Sequence, residues 1–140
     1  MTKINPIRDV PSVRVRAENS APVNTDGEFV LYWMTAFRRT KFNFALQHAA
    51  NLAMELGKPL IVFEPLQVGY RWASDRLHRF IIDGMASNQS LLESKQVTYL
   101  PYVEPQQGDS KGLLLHLSKH SCSIVTDDYP CFFLPSLIRT

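Results

Sequence analysis

Two carboxylates in succession, Asp127-Asp128, close the apolar run Cys122-Ser123-Ile124-Val125-Thr126 and are followed by Tyr129-Pro130. Acids at the end of a buried strand have two uses. They cap the turn that follows, or they accept hydrogen bonds from a ligand's donors in a partly dry crevice. A basic cluster, Arg38, Arg39 and Lys41, follows the apolar run Phe29-Val30-Leu31-Tyr32-Trp33-Met34 and the turn Thr35-Ala36. Cations at a helix entrance oppose the helix dipole by roughly 0.3–1 kcal/mol each. A solvated surface tolerates that cost, and a negatively charged ligand offsets it. Glu64 ends a third apolar run, and Tyr70 and Trp72 stand in the loop beyond it. Those two rings either stack on a planar chromophore or close over the core. Trp33, inside its run, belongs to the core, and His48 and His78, within helices, belong to structure or surface.

Several chemistries are excluded. No GxGxxG follows the first strand, so a dinucleotide fingerprint is lacking, and no GxxxxGK[ST] forms a phosphate loop. GxSxG, HExxH and His/Cys clusters at ligand spacing are also missing.

The elements that must position these residues follow from periodicity. Phe29 to Met34 lacks polar alternation, as a strand buried on both faces in a parallel sheet does. A first helix is predicted over 39–56, with Phe42, Leu46, Ala49, Ala53 and Leu56 on its inner face. Gly57 suits its left-handed end, and Pro59 opens the second strand, 58–63. Ser74-Asp75 starts a long second helix whose inward face is Leu77, Phe80, Ile81, Gly84, Met85, Asn88, Leu91 and Leu92. A third strand is predicted over 97–102, and a polar loop over 104–108. Asp109 or Ser110 should cap a third helix carrying Leu113, Leu114 and Leu117, and the fourth strand covers 122–126.

Strands alternating with helices give an α/β class fold, a Rossmann-like parallel sheet with helices on both faces. Right-handed crossovers with strand four returning beside strand one give the order 3-2-1-4. Ligands of such sheets bind at the carboxyl ends of the strands where the order reverses. The expected crevice therefore has Met34, Thr35 and Arg38 on one side and Asp127, Asp128 and Tyr129 on the other. Glu64 and Leu66 form the next wall, and Trp72 lies on the same side of the sheet.

The 140 residues carry a formal charge of +2, which gives no argument for nucleic acid or an anionic membrane. Two cysteines without metal or disulfide spacing make a reduced, cytoplasmic protein the expectation. No run approaches membrane-span length. Residues 1–27, with Pro6, Pro11 and Pro22, read as an extended arm in which Val13 to Arg16 alternate as a short edge strand. Residues 28–140 read as the domain proper. An apolar helix starts at Ser136-Leu137-Ile138, as if the chain were cut inside a larger protein.

Tyr32-Trp33-Met34-Thr35, then Arg39, then Asn43-Phe44-Ala45-Leu46 resembles the opening of the class II DNA photolyases, typically YWM, a small polar residue, a linker with arginine, and DNWAL. ELGKPL at 55–60, SDRLHRFIIDGM at 74–85 and IVTDDYP at 124–130 follow in the family's order. Within the second of these, Arg76 to Ile82 approximates the family's RHY.FML. The resemblance spans about Glu28 to Arg139. Phe42 stands where the family has Asp, Phe44 where it has Trp, and Ala36 where an arginine is usual.

The resemblance implies the N-terminal α/β domain of a photolyase, able to hold an antenna chromophore, a deazaflavin or a folate. In that family a separate helical domain binds FAD, grips DNA and flips the pyrimidine dimer. That domain is not expected within this chain, so FAD and DNA would be partners of the parent protein only. An apolar interdomain surface left open would drive homo-oligomers. Two other readings remain open here: a stand-alone nucleotide- or flavin-binding module of the HUP-like type, and an interaction-only domain.

Overall fold

The structure is a computed structural model and describes residues 10–131. The expectations for the first nine residues and for 132–140 lie outside it. Four strands, β1 (Phe29–Trp33), β2 (Leu60–Leu66), β3 (Thr98–Val103) and β4 (Ser121–Thr126), alternate with α1 (Phe44–Leu56), α2 (Asp75–Glu93) and α3 (Leu113–His120). All pairings are parallel and the order is β3-β2-β1-β4.

Strand β1 is central because every residue in it is buried. Its alternate side chains feed two cores. Val30, Tyr32 and Met34 join Leu60 and Val62 beneath Ala49 and Ala53 of α1 and Leu92 of α2. Phe29, Leu31, Trp33 and Phe63 pack against Leu113, Leu114 and Leu117 of α3. The sheet thus has helices on both faces, as its unalternating apolar run requires. Gly57 ends α1 at φ 63°, and the Lys58 N–H returns to Ala53 O at 2.9 Å.

Several boundaries differ from those expected. Helix α1 begins at Phe44 rather than 39, because Asn43 is the N-cap and accepts from Leu46 N. Residues 35–42 are therefore loop, and Phe42 is 93% exposed instead of facing the core. Phe42 is also the sole non-glycine residue with positive φ, 52°, among the described residues. A Cβ in that region costs roughly 1–2 kcal/mol. Phe42→Gly should consequently raise the urea midpoint, by about 0.5–1 kcal/mol of stability once glycine's extra chain entropy is counted. A lower midpoint would show that the Phe42 ring stabilises the loop.

Strand β2 runs past Phe63 through Glu64 and Pro65 to Leu66. Proline is tolerated there because β1 has already ended on that side, and Arg38 supplies the donor to Pro65 O at 2.8 Å. Helix α3 starts after Gly112, φ 81°, not at Asp109 or Ser110. Ser12–Arg14 is a short 3-10 turn, so Val13 to Arg16 do not form the expected edge strand. In α2 only Met85, Asn88 and Leu92 are buried, while Leu77, Phe80 and Leu91 are exposed. Over its first ten residues that helix is covered only in part: His78, Ile81 and Gly84 are half-buried and the others are exposed.

Candidate functional site at the carboxyl end of the sheet

Asp127 directly follows β4, and it is 1% exposed. One oxygen, Oδ2, accepts from three successive backbone N–H groups, Thr35 at 3.0 Å, Ala36 at 2.9 Å and Phe37 at 3.0 Å. The other, Oδ1, accepts from the Tyr32 hydroxyl at 2.7 Å. The loop after β1 curls its amides around the carboxylate as a nest does around an anion. Asn43 Nδ2 completes the cluster by donating to Tyr32 Oη at 2.9 Å and to the carbonyls of Phe37 and Arg39. Burial and the adjacent Asp127 charge push the Tyr32 phenol well above its ordinary pKa, so it remains a donor. The acid foreseen at the switch point is thus there, and its donors come from the opposite wall of the same crevice.

A second buried acid stands one strand away. Glu64 is fully buried; its Oε1 faces Arg38 at 3.2 Å, and its Oε2 accepts from Asn88 Nδ2 at 3.0 Å and from the Tyr99 hydroxyl. Asn88 also donates to Arg38 O. The backbone of 35–38 is therefore held by Asp127 at its start and by Asn88 at its end. Burial, then the hydrogen bond to Glu64, raises the Tyr99 pKa. The Arg38 side chain is only 25% exposed, so one cation of the basic cluster is an internal ion pair, while Arg39 and Lys41 are exposed.

A third acid was not singled out in the sequence, where 104–108 reads as a polar loop. Glu104 immediately follows β3 and is 4% exposed. It accepts from Val68 N, Gly108 N, Ser110 N and Ser110 Oγ. The signal was positional: β3 and β4 are each followed by an acid, and β2 carries one near its end. The Ser110 hydroxyl first, then the Val68 N–H, hold the Glu104 carboxyl down at about 2 against its ordinary 4.5. A folded-state pKa below the unfolded one stabilises the loop fully above about 4.5, and that contribution disappears as pH falls towards about 2. Ser110→Ala removes the largest cause, so the Glu104 midpoint should move upward. An NMR titration of the Glu104 side-chain carboxyl carbon measures it, and an unmoved midpoint contradicts the assignment.

The other nominated residues are distributed as follows. Met34 is wholly buried in the core, with its sulfur 3.9 Å from Asn88 Nδ2. Leu66 is buried at the end of β2. Thr35 gives its N–H to Asp127, while its hydroxyl is buried without a partner, as is Trp33 Nε1. Asp128 is exposed and lies 3.4 Å from Arg16 of the arm. Tyr129 meets Phe37 edge-on at 6.2 Å, and Trp72 is 53% exposed beneath the Arg71 guanidinium. Thr35, Arg38, Glu64 and Asp127 are thus brought together, with Tyr129 at their margin.

An open groove of about 730 Å³ lies beside this cluster, between the arm and the surface made by α1 and β4. Its walls include Arg14, Phe44, His48 and Ile124, and of the nominated residues Asp127 and Asp128 line it. Arg14 stacks over Phe44 at 4.5 Å. The described part of the arm forms one wall of the groove. Among the described residues no group of three or more His, Cys, Asp or Glu is arranged for a metal ion. No described helix is long and apolar enough to cross a membrane.

No protein-family model matches the chain. A stretch of 114 residues is 31% identical to a deoxyribodipyrimidine photo-lyase of Methanothermobacter thermautotrophicus. The match covers 81% of this chain and 25% of that protein, so the chain spans about a quarter of its relative's length. Tyr32, Asn43 and Asp127, which stand in three separate photolyase-like motifs, meet in one buried hydrogen-bonded cluster. With its Rossmann-like sheet and this sequence relationship, the chain is a photolyase-related α/β domain.

Proposed function

We propose that this chain is the N-terminal, antenna-type part of a class II-like photolyase that repairs pyrimidine dimers in DNA with light. The observation that carries the reading is the 31% identity over four-fifths of the chain. The cluster of Tyr32, Asn43 and Asp127 adds support, because the residues behind the resemblance also hold the crevice together. On this reading the parent protein is cytoplasmic. Its FAD, its grip on DNA and the electron transfer to the dimer belong to a separate helical domain.

The groove beside the switch point is the antenna site in this proposal. Its volume falls in the usual range for small-molecule sites, about 300–1,000 Å³. Its lining combines apolar Phe44 and Ile124 with polar and charged groups of both signs, Arg14, His48, Glu18 and Asp128 among them, which suits a planar ring system bearing polar substituents. The chromophore would supply light absorption; the chain would supply the walls and their polar contacts.

Titrating the purified chain with a deazaflavin, a methenyl-folate and ATP separates the readings by fluorescence quenching. Saturable binding of either chromophore, weakened by Ile124→Arg, supports the antenna site. Preference for ATP favours the nucleotide-binding alternative, and binding of none removes the site. In a second assay, the chain with reduced FAD, dimer-containing DNA and light should give no repair. Turnover there would contradict the placement of the catalytic machinery elsewhere.

A further inference from the structure

We propose that His116 and His120, with Glu28 behind them, form a surface site for a zinc ion at the amino ends of β1 and β4. The two histidines lie at i, i+4 in the second half of α3, the spacing at which imidazoles on one helix chelate a single ion. Their ring centroids are 5.3 Å apart, with the planes at 52°. A tetrahedral zinc held at about 2.0–2.1 Å by two imidazole nitrogens sets the ring centroids about 5 Å apart. The pair is thus spaced for chelation without any shift of the helix. Both rings are exposed, so an ion reaches them from solvent.

The tertiary structure supplies the third group. Glu28 stands 92 residues from His120 in the chain, just before β1, and its Oε1 lies 3.1 Å from His120 Nδ1. That contact keeps the proton on Nδ1 and leaves the Nε2 lone pair for a metal. A carboxylate on the far nitrogen is the arrangement that orients metal-ligating imidazoles and raises their basicity. It also brings an acid to the pair, against the charge of Lys119 in the same turn. The carbonyl end of α3 adds a favourable field for a cation. Imidazole ligands suit zinc, copper and nickel rather than magnesium or calcium, which selects the class of ion. Two imidazoles and water, not three protein side chains, make the coordination sphere, so the site is an exchangeable one and not a structural zinc.

Calorimetric titration of the full chain with zinc tests the site, read beside the histidine ring signals in NMR. One equivalent should bind, moving the signals of His116 and His120 and leaving those of His48 and His78. His116→Ala and His120→Ala should each abolish that binding, and Glu28→Ala should weaken it about tenfold. All three side chains are exposed, and circular dichroism confirms that each variant folds. Shifts spread evenly over the four histidines would overturn the proposal. So would binding that survives either histidine substitution, an affinity indifferent to Glu28→Ala, or no saturable binding at all. The site lies at the amino ends of the strands and the crevice at their carboxyl ends, so it and the chromophore site fail separately.

Discussion

Asp127→Ala should be among the most destabilising single substitutions in this chain, lowering stability by about 3–5 kcal/mol. The side chain is the shared acceptor for the Tyr32 hydroxyl and for three backbone N–H groups. Each buried donor left without an acceptor costs about 1–3 kcal/mol, and relaxation of the 35–37 loop into solvent recovers part of the total. Asp127→Asn keeps the volume but replaces one acceptor oxygen with a donor and removes the charge, so about 1.5–3 kcal/mol should be lost. The neighbouring acid is the control. Asp128 is exposed and its contact with Arg16 is a surface pair, so Asp128→Asn should change stability by no more than about 1 kcal/mol. Tyr32→Phe should fall between, near 1–2 kcal/mol, because Asn43 keeps two carbonyl acceptors. Urea midpoints at constant m-value give the order directly. Equal effects at 127 and 128 would refute the clamp.

Glu64→Ala should be comparably damaging, by about 3–5 kcal/mol, for a different reason. It strands a guanidinium that is three-quarters buried, together with the Tyr99 hydroxyl and the Asn88 amide. Breaking a buried ion pair from one side carries a cost of that size. Replacing both members with uncharged groups of similar volume costs less than breaking the pair from one side, since no charge is left unpaired. The double variant Glu64→Gln/Arg38→Met should therefore lose about 0.5–3 kcal/mol less than the sum of its single variants. Strict additivity would mean that Arg38 and Glu64 are neighbours without coupling. Amide exchange should report where the damage lies. The loop at 35–42 should lose protection, because Asn88 holds Arg38 O and Glu64 holds both Asn88 and the guanidinium.

The two networks explain why the switch point is built from acids. Arg38, Glu64 and Asp127 were nominated for a ligand because of their place at strand ends, and that place is where the structure puts them. Their hydrogen-bonding capacity is spent largely on the chain itself. Ligand chemistry is left to atoms around them: exposed Asp128 and the groove walls. A mutation at Asp127 or Glu64 that lowers chromophore binding would thus act through the position of the 35–38 loop.

The sequence by itself determined the sheet. The apolar run at 29–34, without alternation, can only be satisfied by helices on both sides, and four strand-like runs separated by helix-length segments leave few topologies, of which 3-2-1-4 is observed. It also determined where the carboxylates fall, at the ends of strands, and the motif order that relates the chain to a photolyase. Only the tertiary structure decided what those carboxylates do. Tyr32 and Asp127 are 95 residues apart in the chain, and whether a strand-end acid meets a ligand or a loop's amides depends on how two strands lie side by side. Periodicity was equally silent about coverage. It marks residues that prefer an apolar neighbour, and so it included Phe42, Leu77 and Phe80; the neighbour itself is supplied by the fold, which leaves all three exposed. Glu104 escaped because Gly108 and Ser110 donate to it only once its own loop has folded back, and the Val68 N–H reaches it only after β2 and β3 have paired.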